Sequence, residues 1–146
     1  KGEYYRLIQS VRDSGDWESW VLYILRGIDA TATETIILVK QIKILMQEYK
    51  VKMRNCLEKQ YSHELLNNIF SHPYTKIEFV MNDIKVSRIT AAKYLNKLVE
   101  HGLLEKVKMG TSNFYLNPEL TRLLINHSEN QNIEGFEAIE SISKMI

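Results

Sequence analysis

Apolar positions along the chain recur mostly three and four residues apart, which predicts helices almost throughout, with one stretch of alternation that predicts strands. Residues 3–13 carry Tyr4, Tyr5, Leu7, Ile8 and Val11 at helical spacing, and Ser14-Gly15 breaks the run. Asp16 suits the N-cap of a second helix, Trp17 to about Arg26, with Trp17, Trp20, Val21, Ile24 and Leu25 on one face. Gly27 stands where a C-cap belongs. A long helix is then expected from about Ala30 toward Leu57. Its seam of Ala32, Thr35, Val39, Ile42, Met46, Tyr49, Met53 and Cys56 alternates steps of three and four, as bundles and coiled coils do. That seam packs either on neighbours within the chain or on a second copy of the long helix, and its flanking charges are not patterned for pairing. Trp17, Trp20 and Tyr5 are expected as core anchors. If residues are missing before Lys1, part of their apolar face should be exposed or covered by another copy.

The character changes after Lys59. His63 to Ser71 forms a short helix with an apolar face, stopped by Pro73. Thr75 is a candidate cap for a helix from Lys76 to about Asn82, and Asp83-Ile84-Lys85 reads as a turn. Ser87 caps a further helix, Arg88 to His101, ended by Gly102. Leu103 to Met109 then alternates as a strand, Gly110-Thr111-Ser112 turns the chain, and Asn113 to Asn117 returns as a second strand. Pro118 opens a last clear helix through about Asn126. His127 to Gly135 is polar and reads as a loop, and Phe136 to Ile146 as a short helix or a frayed end. The fold class is mainly α. A helical segment occupies 1–60, a winged helix-turn-helix with a small β-hairpin wing occupies 61–127, and 128–146 is a polar loop and tail.

The helix after Ser87 carries the functional question. With residues placed about 100° apart, Ile89, Ala92, Leu95, Leu98 and Val99 fall on an inward arc. Ser87, Thr90, Lys93, Tyr94 and Lys97 fall on the other arc, which has no carboxylate before Glu100. Such a face suits a major groove, where short polar groups reach base edges and cations meet phosphate. Arg88 is the one arginine in the predicted site, and Lys106, Lys108 and Asn113 on the hairpin would meet the flanking backbone or minor groove. The competing reading is a module for protein docking or dimerisation, since the cation supply is modest.

Composition narrows the rest. The 146 residues carry a formal net charge of +1, so no overall basic character announces nucleic acid. The charge is mildly positive up to about residue 117 and acidic beyond it. The single cysteine, Cys56, excludes an internal disulfide framework, fits a reducing cytoplasm and reads as a structural thiol. No apolar run approaches the ~18 residues that span a bilayer, so no membrane partner is expected. His63, His72, His101 and His127 lack companions at metal-ligand spacing, so no metal is expected. The six glycines form no phosphate-binding loop. The chain begins at Lys1 inside an amphipathic pattern, so it is expected to be part of a longer protein.

Tyr4-Tyr5-Arg6, Gly15 to Trp20 (GDWESW) and the apolar run from Val21 to Gly27 resemble the closing helices of the catalytic domain in Fic-family proteins. Ser112 to Leu124 (SNFYLNPELTRLL) is similar to the wing strand and final helix found in many of them. The resemblance spans most of residues 1–127. It implies a parent that is a protein adenylyltransferase, moving AMP from ATP to a target hydroxyl with magnesium. That chemistry sits on a motif His-Pro-Phe-x-(Asp/Glu)-Gly-Asn-Gly-Arg, which this chain lacks. The nearest string, His72 to Phe79 (HPYTKIEF), has neither the acidic residue nor the Gly-Asn-Gly-Arg element. No catalytic residue carries over, and this chain is expected to be non-catalytic and to bind no cofactor, with ATP and magnesium belonging to the parent's catalytic domain. The leading expectation is a bacterial, cytoplasmic DNA-binding module for transcriptional autoregulation or location of the parent. A homodimer through the long helix and a target protein of the parent are further candidate partners. The alternatives are a docking or target-recruiting module, and a stand-alone transcription regulator.

Overall fold

The computed structural model describes residues 2–128. The chain divides into two units, Lys1–Lys40 and Gln41–Ile146. In chain order the elements are α1 (Gly2–Ser14), α2 (Trp17–Leu57), a 3-10 turn (Glu58–Gln60), α3 (His63–Ser71), β1 (Tyr74–Thr75), α4 (Ile77–Ile84), α5 (Arg88–Glu100), β2 (Glu105–Met109) and β3 (Ser112–Leu116). Residues 118–128 are helical and are called α6. The architecture is mainly helical with a small antiparallel sheet, in a winged-helix-like arrangement. The sequence readings for 129–146 lie outside the described residues.

In the first unit, Gly15 takes φ +70 between α1 and α2. Asp16 caps α2 as expected, its carboxylate accepting from the Ser19 amide at 3.3 Å. The expected break at Gly27 does not occur, because α2 runs unbroken through it. A glycine inside a helix costs only about 1 kcal/mol, and no proline or left-handed residue follows to stop the chain. Thr31 Oγ1 even donates back to the Gly27 carbonyl at 2.9 Å. The expectation of core anchors is also corrected. Tyr5 and Trp17 are 66% and 61% exposed. Trp20 is half-buried and packs edge-on against Trp17, with centroids 6.2 Å apart. Ala32, Thr35 and Val39 of the long seam are exposed as well.

The second unit holds the core. The end of the seam (Tyr49, Met53, Cys56 and Leu57) is buried with Leu65, Leu66 and Ile69 of α3, Val80 of α4, and Ala91, Leu95 and Leu98 of α5. Leu103, Leu104 and Tyr115 complete the cluster from the hairpin side. The C-terminal half of the seam thus packs on its own chain.

Strand order is β1-β3-β2, antiparallel throughout. Strand β1 pairs Tyr74 with Leu116 and Thr75 with Tyr115, a third strand that was not expected. Thr75 was expected to cap α4. Instead it is buried, and its hydroxyl donates to Asn68 Oδ1 at 2.6 Å while Lys76 occupies the cap position without a side-chain bond. Asn68 Nδ2 in turn donates to Asp83 at 2.6 Å, tying α3 and β1 to α4. Asp83 and Ile84 belong to α4 rather than to the turn, which begins at Lys85.

One buried amide joins the remaining pieces. Asn117 is 1% exposed. Its Oδ1 accepts from the Tyr49 hydroxyl at 3.0 Å and from the Leu120 amide at 3.1 Å. Its Nδ2 donates to the Ile69 carbonyl at 3.3 Å, and its backbone amide to the Pro73 carbonyl at 2.8 Å. Asn117 is therefore the N-cap of α6, with Pro118 in the first helical position where the missing N–H is harmless. The Tyr49 hydroxyl also lies 3.1 Å from the Leu103 carbonyl.

Asn117→Ala is expected to cost about 2–4 kcal/mol, since it removes a cap and strands buried partners. Tyr49→Phe is expected to cost about 1–2 kcal/mol. Urea midpoints should fall with unchanged m-values. Burial, reinforced by the Glu119 carboxylate, pushes the Tyr49 phenol up to about 12. The folded state thus favours the neutral phenol, while the unfolded chain ionises near pH 10. This stabilisation is complete below pH 10 and drains away as pH rises toward 12. Stability measured between pH 9 and 11.5 should fall more steeply for the wild type than for Tyr49→Phe.

Candidate nucleic-acid interface

The presentation of α5 is fixed at both ends. Lys85 takes the left-handed conformation, φ 58, and with Val86 and Ser87 forms a three-residue turn after α4. Ser87 is the N-cap as expected, its Oγ accepting from the Thr90 amide at 3.2 Å and lying 2.9 Å from the Thr90 hydroxyl. At the far end Leu103 N–H bonds the Leu98 carbonyl at 2.9 Å and Gly102 N–H bonds the Val99 carbonyl at 3.0 Å. That is a Schellman closure, and Gly102 supplies the φ of +69 it requires.

The first turn of α5 faces differently from the expected phase. Ala91, Leu95 and Leu98 are fully buried, and Tyr94 and Val99 pack partly against the same core. Ile89, expected inside, is 84% exposed, and Ala92 is half-buried. The outward face is Arg88, Ile89, Lys93, Asn96 and Glu100, with Lys97 and Thr90 half-exposed at its edge. Leu95, Leu98 and Val99 lie inward as expected, and the difference is confined to the first turn, where Ala91 is buried in place of Ile89 and Ala92.

The hairpin register pairs Lys106 with Tyr115 and Lys108 with Asn113, so these four share one face. Tyr115 is buried, and its hydroxyl donates to Asn96 Oδ1 of α5 at 3.3 Å. Lys106 Nζ sits 5.7 Å from the centre of the Tyr115 ring. The cationic face of the wing is therefore the one turned to α5. The opposite face carries Tyr74, Phe114, Val107 and Met109, with Lys76 Nζ 4.3 Å from the Phe114 ring centre.

Of the sequence-selected residues, Ser87, Arg88, Lys93, Lys106, Lys108 and Asn113 are exposed. Thr90 and Lys97 are half-exposed, and Tyr94 is turned largely to the core. Arg88 lies 3.9 Å from Glu78, an exposed pair worth at most about 1 kcal/mol, so the guanidinium remains available. Asn96 and Ile89 are outward residues the sequence reading missed. Only the correct helical phase would have found them.

Among the described residues no group of three or more His, Cys, Asp or Glu could hold a metal ion. Cys56 is buried on α2, and burial pushes its thiol up, away from the reactive thiolate. His72 follows α3 and stacks on Tyr74, with centroids 6.4 Å apart. Among the described residues no helix is long and apolar enough to cross a membrane.

The helices, the three-residue turn and the basic-faced hairpin define a winged-helix-like module. Residues 45–120 match the family described as the C-terminal domain of SoFic-like protein adenylyltransferases. The chain belongs to that family, and it carries the C-terminal portion of a Fic-family protein.

Because the two caps set the angle and length of α5, Ser87→Ala is expected to cost about 1 kcal/mol. Gly102→Ala is expected to cost about 1–2 kcal/mol through its left-handed backbone. Thermal unfolding of each variant checks both values.

Proposed function

We propose that this chain is the non-catalytic C-terminal part of a cytoplasmic Fic-family protein adenylyltransferase, and that its winged helix, at about 61–127, binds duplex DNA. The parent would transfer AMP from ATP to a target hydroxyl with magnesium, at a catalytic site elsewhere in the protein. The observation that carries the DNA reading is the shared surface of α5 and the wing. Arg88 and Lys93 are exposed on the helix, with Lys97 half-exposed at the edge of its outward face, and Lys106 and Lys108 lie on the hairpin face whose Tyr115 bonds Asn96 of α5. Glu100, at the last turn, is the carboxylate on that helix face. The N-terminal half of α5 offers positive dipole with Arg88 and Lys93, and the Asn96 amide follows in its C-terminal half, a combination suited to groove entry and phosphate contact. The role would be autoregulation or placement of the parent enzyme on DNA. Two copies paired through the long helix would supply the second half-site that so few cations require.

A second reading rests on the reverse face of the hairpin. Tyr74, Phe79, Val107 and Met109 are all exposed there or beside it, a composition suited to docking a target protein.

Fluorescence anisotropy of a labelled duplex titrated with the chain at several salt concentrations separates the two. Binding is expected to weaken steeply with salt, with a log-log slope near −0.9 per phosphate contact. Lys93→Ala with Lys97→Ala should weaken binding and make the slope shallower by about 1–2. Absence of binding at low salt would leave the protein-docking reading.

A further inference from the structure

Ile89 is the second residue of α5 and, at 84%, the most exposed large apolar side chain among the described residues. Its neighbours on the helix surface, three, four and seven positions on, are Ala92, Lys93 and Asn96. An isoleucine there does no work for the core, which is filled by Ala91, Leu95 and Leu98. It stands between two cations, Arg88 and Lys93, on the surface argued above to meet DNA. In the major groove the apolar feature is the C5-methyl group of thymine, and the base pair that carries it also offers adenine N6 and N7 to an asparagine amide. The N-terminal residues of a recognition helix are those that reach base edges.

Resting on the DNA reading, we propose that Ile89 is a specificity-determining residue that packs on thymine methyl groups, with Asn96 contacting adenine, so that the module prefers A·T steps in the major groove. Asn96 is suited to this because its Oδ1 is held by the Tyr115 hydroxyl at 3.3 Å, which orients the amide from within the fold. Lys93, between them, then serves phosphate rather than sequence.

The test uses the full chain and a labelled duplex enriched from a random-sequence library, compared with the same duplex in which deoxyuridine replaces thymidine. That exchange deletes the methyl groups and keeps every hydrogen-bonding edge. Wild type is expected to bind the deoxyuridine duplex about fourfold more weakly for each methyl group contacted, the value of one apolar carbon. Ile89→Ala is expected to bind both duplexes equally, and it should fold normally because the side chain is exposed. Lys106→Ala should weaken both duplexes alike. Equal wild-type affinity for the two duplexes, or discrimination that survives Ile89→Ala, would overturn the role of Ile89 while leaving DNA binding intact. No binding to either duplex would remove the DNA reading and this inference with it. Replacing cytosine by 5-methylcytosine in the deoxyuridine duplex identifies the methyl's source. Restored binding there would overturn a preference for thymine as such.

Discussion

The second unit hangs on the buried contact between the Tyr49 hydroxyl and the Asn117 amide. Tyr49 comes from the long helix, whereas Asn117 stands at the exit of the wing. Their sequence separation is large, so the bond closes the second unit on itself. Each partner is polar and almost wholly buried, and each is satisfied. A buried amide without its partners would be costly, so the same bonds that join the pieces also select one arrangement of them. The carbonyls of Ile69 and Leu103, which share these bonds, fix α3 and the start of the hairpin to the same point.

That closure sets the surface. The hairpin leaves Leu104 and returns through Tyr115 to Asn117, so anchoring its base fixes which face meets α5. Tyr115 then holds Asn96 from below. The lysines of β2 lie on the α5 side because strand side chains alternate, and the register with Tyr115 leaves them no other place. The aromatic residues are turned away by the same alternation. One hairpin thus separates a cationic surface from an apolar one, and the two functional readings correspond to its two faces.

Much of this was legible in the sequence, and the failures have physical causes. Ser87, Gly102 and Gly110 marked the ends of α5 and the hairpin turn because capping and left-handed backbone are local demands. The wing lysines were placed correctly because strand period is two and leaves no choice of phase. Helical phase is less constrained, and assigning Ile89 to the core misplaced the first turn of α5. Gly27 suggested a stop, but one unfavourable residue does not end a helix. Strand β1 is two residues long and exists only through pairing with β3, so no local pattern announces it. Asn117 read as a strand end; its role as a buried cap depends on Tyr49, far away in sequence. Tyr5 and Trp17 are aromatic residues at helical spacing, which reads as core, and yet they are exposed.

The central claim, that α5 and the basic face of the wing meet duplex DNA, is tested most directly by mapping backbone amide shifts of the labelled chain as duplex is added. The account predicts that the amides from Ser87 to Lys97 and around Lys106, Lys108 and Asn113 move together. The amides of Tyr74 and Phe79 should stay in place. Shifts confined to the aromatic side, or none at all at low salt, would contradict it.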